Sequence, residues 1–289
     1  MKRTVLIVGA AGGVGMALAK VLSARGYNVV GTVLDDTEAE AVRAAVPDIG
    51  WLTTVDLSNA DNLLPALAPL RDDQSIELVG VTVCAAISPY GPLETTPLAG
   101  LRRTIEINTV ADVAVYQACM PMLRKTKGRF VFIVSNAGRF AIPFIGHYVA
   151  SKFALEGLGD VMRREASKWD VPVILIEPGG IKTNMVYQQI ATIKDDIADM
   201  SAQVRNLYED LFLAFQGILD GVETAMPPET VAECIVHALE TDDPQTRYQI
   251  GQDSIDSIQL ARTASDREID EILGQQFANA AAAARARNA

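Results

Sequence analysis

Short runs of consecutive apolar residues alternate along this chain with longer stretches in which apolar positions recur every three or four residues. Unbroken runs read as strands buried on both faces, and the wider spacing reads as helices with one apolar side. The runs are Thr4 to Val8, Asn28 to Leu34, Trp51 to Val55, Leu78 to Ala85, Arg129 to Ser135 and Val171 to Glu177. The helical patterns between them include Met16 to Arg25, Pro97 to Lys125 and Tyr148 to Lys168. Strands alternating with helices predict an α/β fold built on a doubly wound parallel sheet. One more stripe runs through Ile190, Ile193, Ile197, Met200, Val204, Leu207 and Leu211, and continues at Phe215 and Leu219. That spacing predicts an amphipathic helix, whose apolar side packs on the domain, on a partner subunit or over a ligand.

Composition narrows the picture. With 289 residues, 49% hydrophobic and 21% charged, the chain has ample core for one large domain or two small ones. The net charge of −11 leaves no basic excess for nucleic acid or for an anionic membrane surface. Cys84, Cys119 and Cys234 lack close spacing and read as buried thiols in a reducing compartment. The start of the chain runs into an apolar segment too short for a secretion signal, and no run approaches the ~20 apolar residues of a membrane helix. The expectation is a soluble cytoplasmic protein. His147 and His237 stand far apart, which argues against a metal site. The alanine- and arginine-rich end, 280–289, is expected to be frayed or disordered.

Candidate chemistry begins at Gly9-Ala10-Ala11-Gly12-Gly13-Val14-Gly15, between the first strand and the first helix. Glycines there let a backbone approach a pyrophosphate, and the helix start offers free N–H groups and a positive dipole end. An ordinary tight turn is the rival reading. Asp35-Asp36 ends the second strand and could bond an adenine ribose, or could simply start a helix before Thr37 and Glu38. Tyr148 and Lys152 lie four apart, one turn along a helix face. An ammonium beside a phenol favours the phenolate, which suits proton transfer near neutral pH. Two neighbours on a solvated face would give the same spacing. Ser135 stands at the carboxyl end of the fifth run, where open α/β sheets bind ligands.

Taken together, Gly9-xxx-Gly13-x-Gly15, Asp56-Leu57, Asn108, Ser135, Tyr148-xxx-Lys152 and Pro178-Gly179-x-Ile181-x-Thr183 resemble the short-chain dehydrogenase/reductase family. The likeness is close from Thr4 to Thr183 and looser to about Gly251. It implies a Rossmann-type sheet of about seven strands with cofactor and substrate in one cleft. It implies one domain over 1–279, with 184–226 as a helical segment covering the substrate. It assigns Tyr148 as proton donor in reduction and acceptor in oxidation. Lys152 holds the nicotinamide ribose and supports Tyr148. Ser135 bonds the reacting oxygen, and Asn108 holds a water linking Lys152 to solvent. Cofactor contacts fall to Gly9, Gly13, Val14, Gly15, Asp35, Asp56, Leu57, Ala85, Tyr148, Lys152, Pro178, Gly179, Ile181 and Thr183, with no metal. Two departures stand out: Val8 replaces a usual threonine, and Val83-Cys84-Ala85-Ala86 replaces Asn-Asn-Ala-Gly.

The stretches Phe153-Ala154-Leu155-Glu156-Gly157-Leu158 and Met162-Arg163-Arg164-Glu165 are similar to the hydroxysteroid, retinol and 3-hydroxybutyrate dehydrogenase branch. With the apolar segment Phe140 to Ile145, they imply a hydrophobic secondary alcohol or ketone as substrate. Sugar or acyl-type carbonyl reduction is the alternative enzyme. A nucleotide-binding redox sensor without turnover is the alternative class. Acids and no base after the second strand point to NAD(H) rather than NADP(H). Family members pair their long helices, so a homodimer or homotetramer is expected.

Overall fold

The computed structural model describes residues 1–288. Its first half runs β1 (Lys2–Val8), α1 (Gly13–Ala24), β2 (Asn28–Val33), α2 (Asp36–Ala45), β3 (Leu52–Thr54), α3 (Leu63–Ala66), α4 (Ala68–Asp72), β4 (Ile76–Val83), α5 (Leu98–Ile105) and α6 (Ala111–Thr126). The second half runs β5 (Arg129–Ile133), α7 (Gly146–Ala166), β6 (Val173–Pro178), α8 (Asn184–Ala198), α9 (Ala202–Leu219), α10 (Pro228–Glu240), β7 (Arg247–Ile250), α11 (Gln252–Thr263) and α12 (Asp266–Asn288). The seven strands form one sheet in the order β3-β2-β1-β4-β5-β6-β7. Every pairing is parallel. This is the Rossmann-type arrangement the alternation predicts.

The reason lies in the central strands. Val5, Leu6, Ile7 and Val8 are fully buried, as are Phe130, Val131 and Phe132. Such strands bury both faces only when helices cover each side. One apolar layer packs α6 and α7 on the sheet, and the other packs α1, α2 and α10. The strand order reverses between β1 and β4, and the crevice beyond their carboxyl ends is the place where such sheets bind ligands.

Four expectations change. The pattern from Pro97 to Lys125 is interrupted by a turn of π-helix over Glu106–Val110, with Asn108 inside it. The stripe from Ile190 to Leu219 is two helices, α8 and α9, broken at Asp199–Ser201. Leu207 of that stripe faces solvent at 61% exposure. The alanine-rich end continues α12 to Asn288 instead of fraying. It is held because Leu273, Phe277, Ala281 and Ala284 pack against Leu213 and Ala214 of α9. Small alanines let the two helices approach closely, so the composition that suggested disorder serves packing. Only Ala289, the end of that stretch, lies outside the described residues.

Candidate active site

The catalytic candidates come together at the carboxyl ends of β4 and β5. Tyr148 lies in the first turn of α7, and the Lys152 ammonium sits 5.6 Å from its ring centroid. Lys152 is only 3% exposed and donates to the Ile133 carbonyl at 2.8 Å. Ser135, two residues beyond β5, accepts the Ala137 amide at 3.2 Å and donates to Asn136 Oδ1 at 3.1 Å. The Tyr148 hydroxyl has no hydrogen-bond partner among the described residues and remains available to a substrate oxygen.

Asn108 is fully buried, and its amide is committed. Oδ1 accepts the Ile87 amide at 2.8 Å, while Nδ2 donates to the Ile87 carbonyl at 2.8 Å and to Ser151 Oγ at 3.0 Å. The side chain therefore clamps the loop after β4 to α7, and a relay water finds no free N–H on it. The π-turn is a local widening that often marks functional positions. Ser151, which sequence reasoning passed over, passes this clamp on by donating to the Tyr148 carbonyl at 2.7 Å. Thr109 adds a bond to the Ser151 carbonyl at 3.1 Å.

The glycine turn fits a dinucleotide. Gly9 has φ of +81°, and a Cβ there would sit 2.7 Å from Ala85 Cβ. A Cβ on Gly15 would lie 2.2 Å from the Gly9 carbonyl oxygen. Backbone contact this tight admits only hydrogen. Helix α1 starts at Gly12 with no side-chain cap and no acid in its first turn. Its N-terminal amides thus face the crevice without a competing carboxylate. Thr183 stands opposite Gly13, so the Pro178 loop and the glycine turn face each other. That loop is pinned by Gly179 N–H to the Ile250 carbonyl at 2.9 Å and Lys182 N–H to the Met226 carbonyl at 2.9 Å. Asp253, another residue not foreseen, accepts the Gly180 amide at 2.7 Å.

Asp35 caps α2, with Oδ1 accepting the Glu38 amide at 2.9 Å, while the Glu38 carboxylate accepts the Leu34 amide at 2.7 Å. This pair of bonds engages one oxygen of Asp35 at the start of α2. Asp56 accepts the Ser58 amide at 2.8 Å, and that bond holds its carboxyl below the usual range. Val14 and Leu57 are buried in the two core layers and can offer backbone only. Ala85 lies alongside Gly9, its amide 3.2 Å from the Val8 carbonyl.

The wall beside Tyr148 is aromatic. Phe144, Phe215, Ile145 and Ile193 form a cluster against which Tyr148, Tyr90 and Phe212 pack. Ring centroids lie 5.0 Å apart for Phe144 and Phe215 and 5.2 Å for Tyr90 and Phe215. Phe144 holds φ of +81°, a strained conformation for a bulky residue. Its carbonyl accepts the Gly91 amide at 2.7 Å, so the loops after β4 and β5 are tied here. Three side-chain tethers hold α8 and α9 over this wall. Gln189 donates to the Ser88 carbonyl at 2.6 Å. The Tyr90 hydroxyl meets Thr192 at 2.7 Å and bonds Asp196, and Tyr208 bonds Glu94. Burial and the bond to Asp196 push the Tyr90 phenol up to about 12. A cavity of about 290 Å³ lies between the 90–96 loop and these helices.

Behind the site is a buried charge group that no motif announced. Arg247 binds Glu156 at 2.9 Å and Glu177 at 3.4 Å, and Arg139 reaches the same two carboxylates. Burial, then the neighbouring Glu156, pushes Glu177 up to about 7. Among the described residues, no group of three or more His, Cys, Asp or Glu could hold a metal, and no helix is long and apolar enough to cross a membrane.

The comparisons agree with this geometry. The family model described as short chain dehydrogenase matches residues 3–206. The chain belongs to that family, whose members are oxidoreductases that bind nicotinamide nucleotides. It is 27% identical over 275 residues to 3-amino-tetrahydro-pyrrolizinone reductase of Xenorhabdus hominickii, covering 93% of this chain and 94% of the relative. It is 29% identical over 258 residues to retinol dehydrogenase 7 of Mus musculus, covering 86% and 81%. These likenesses support the retinol and hydroxysteroid dehydrogenase branch. A short chain dehydrogenase from Burkholderia cenocepacia, solved with NADP, shares the fold with a TM-score of 0.70 at 19% identity, covering 94% of this chain and 97% of that one.

Proposed function

We propose that this oxidoreductase interconverts a hydrophobic secondary alcohol and its ketone, using NAD(H) in preference to NADP(H). The observation that carries this reading is the packing of Tyr148 against the aromatic cluster of Phe144 and Phe215, with Lys152 beside it and Ser135 just beyond the carboxyl end of β5. A bound nicotinamide supplies the carbon that gives or takes hydride. Tyr148 moves the proton at the substrate oxygen. Ser135 exchanges its bond to Asn136 for one to that oxygen, where charge develops. Lys152 keeps a positive charge next to the phenol in a site shielded from water. The aromatic wall excludes water and binds an apolar body by area burial.

The cofactor preference rests on Asp35, Asp36 and Glu38, grouped after β2 with no lysine or arginine among residues 33–38. A carboxylate about 4 Å from a 2′-phosphate costs roughly 4 kcal/mol at an effective dielectric of ~20 before screening. A kcat/KM that favours NADP(H) tenfold or more would sink it. Free thiols at Cys84, Cys119 and Cys234 fit a reducing, cytoplasmic setting. Val110, Phe153 and Val161 expose 41%, 44% and 48% of their surface on the helices that family members pair, which supports a homo-oligomer. Light scattering at micromolar concentration should give at least twice the chain mass.

The deciding experiment screens steroids, retinoids, aryl alcohols, sugars and hydroxy acids by cofactor absorbance. Turnover is expected with the apolar alcohols or ketones. Preference for sugars or charged acids removes the substrate reading. On the best substrate, Tyr148→Phe should lower kcat by about a thousandfold with cofactor affinity retained.

A further inference from the structure

The polar centre of the site contains one ionisable group that the catalytic roles do not use. Asp112 lies one turn after Asn108 on the same face of the helix and is 2% exposed. Its Oδ1 is buried without a hydrogen-bond partner. The bonds from Asn108 and Thr109 to Ser151 fix this face against α7 one residue from Lys152. Lys152 and Asp112 interact electrostatically, and both act on the thiol of Cys84. A buried carboxyl and a buried ammonium in one polar centre feel each other's charge across a low-dielectric interior, because little water intervenes.

We propose that Asp112 is a positioning residue for the dehydrogenase reaction, acting through Lys152 by drawing its ammonium inward and away from Tyr148 and the cofactor when ionised. The inference rests on the reading of Tyr148 and Lys152 given above. Burial raises the Asp112 carboxyl to about 8, with Lys152 opposing the rise. Below that point Asp112 is neutral, and Lys152 is free to serve Tyr148 and the nicotinamide ribose. Above it the carboxylate competes for the same cation. Among the described residues, the charge that acts on this carboxyl is that of Lys152 on α7. Just beyond β4 the neighbour is the Cys84 thiol, itself raised by burial. In the π-turn, Glu106 is held by the Ala60 amide at 3.0 Å. On β5, Arg129 donates to the Ala238 carbonyl at 2.7 Å. Asp61, on the short turn before α3, is exposed. Helix α3 presents apolar residues only.

The test measures NADH affinity by fluorescence titration at pH values on both sides of the Asp112 transition. In the wild-type enzyme the dissociation constant should rise about three- to tenfold as Asp112 ionises. In Asp112→Asn it should stay flat, while Cys84→Ala should keep the wild-type profile. Superimposable wild-type and Asp112→Asn profiles overturn the proposal. A second readout needs no Asp112 variant. Infrared titration of protein labelled with carbon-13 at aspartate carboxyls should show a protonated aspartate band that disappears near pH 8. In Lys152→Met that transition should move up by about one pH unit, since the opposing cation is gone. An unmoved transition overturns the proposal. Tyr148→Phe separates the two claims. Retained turnover there defeats the functional reading itself, whereas an inactive Tyr148→Phe with superimposable NADH profiles defeats only the role of Asp112.

Discussion

The glycine turn and the roof that α8 and α9 make over the aromatic wall are built on opposite plans. In the Gly9–Gly15 turn the backbone decides everything, and side chains matter by being absent. In the roof of α8 and α9, side chains decide, through an aromatic cluster and the tethers of Gln189, Tyr90 and Tyr208. The first plan admits one shape, since a single added carbon meets main chain. The second is adjustable, because its tethers are part-exposed and individually small. A fixed cofactor and a variable substrate call for these two kinds of construction.

The largest effect should come from breaking the rigid plan. Gly15→Ala places a carbon 2.2 Å from the Gly9 carbonyl oxygen, so the turn must open. NADH affinity should fall by about a hundredfold or more in fluorescence titration. Near-normal affinity would mean that the turn yields as the roof does, and the contrast would collapse. A smaller effect is expected at the roof. Tyr90→Phe keeps the ring stacked on Phe144 and Phe215 but removes the bonds to Thr192 and Asp196. Substrate KM should rise about fivefold with kcat within about twofold and NADH affinity unchanged. A collapse of kcat would show that the roof takes part in the chemistry.

The smallest effect concerns the joint between the two regions. Glu177 precedes the cofactor loop, and Arg139 follows Ser135 towards the aromatic wall. The folded chain keeps the Glu177 proton longer than the unfolded chain does. The stability from this group is therefore present at pH near 4.5 and is lost as pH rises to about 7. Glu177→Gln should raise Tm by about 2–4 °C above neutral pH and change it little in acid. An equal shift at both pH values would mean that the carboxyl does not titrate in this window.

The same contrast explains what could be read from the chain alone. Buried central strands and the glycine turn are legible because their physics is local: consecutive apolar residues, then glycines at close range. Tyr148, Lys152 and Ser135 could be placed by spacing within that frame, and Asn108 by the family resemblance alone. The edge strands read weakly, and β7, with the polar sequence Arg-Tyr-Gln-Ile, has no apolar run to announce it. Asp35 shows the limit of motif reasoning, since capping of α2 and ribose binding ask for the same residue at the same place. Ser151, Asp112, Asp253 and the Arg139–Glu156–Glu177–Arg247 group were invisible for another reason. Each acquires its meaning from a partner far away in sequence, as with Gly180 and Asp253. The tail failed because alanine composition describes both a frayed end and a close-packed helix, and only the facing residues Leu213 and Ala214 distinguish them.

The packing of α12 against α9 also sets an order of events in synthesis. The roof helices are complete in chain order by Leu219 and the cofactor crevice by Asp253, which pins its loop, but the support at Phe277, Ala281 and Ala284 is made last of the three. A growing chain thus acquires its nucleotide site before the surface that steadies its roof. Until then Leu213 and Ala214 are uncovered, and the nascent protein has a cofactor to stabilise it and an apolar helix to shield. Cellular nicotinamide nucleotide, binding early, would favour the folded sheet by mass action during that interval.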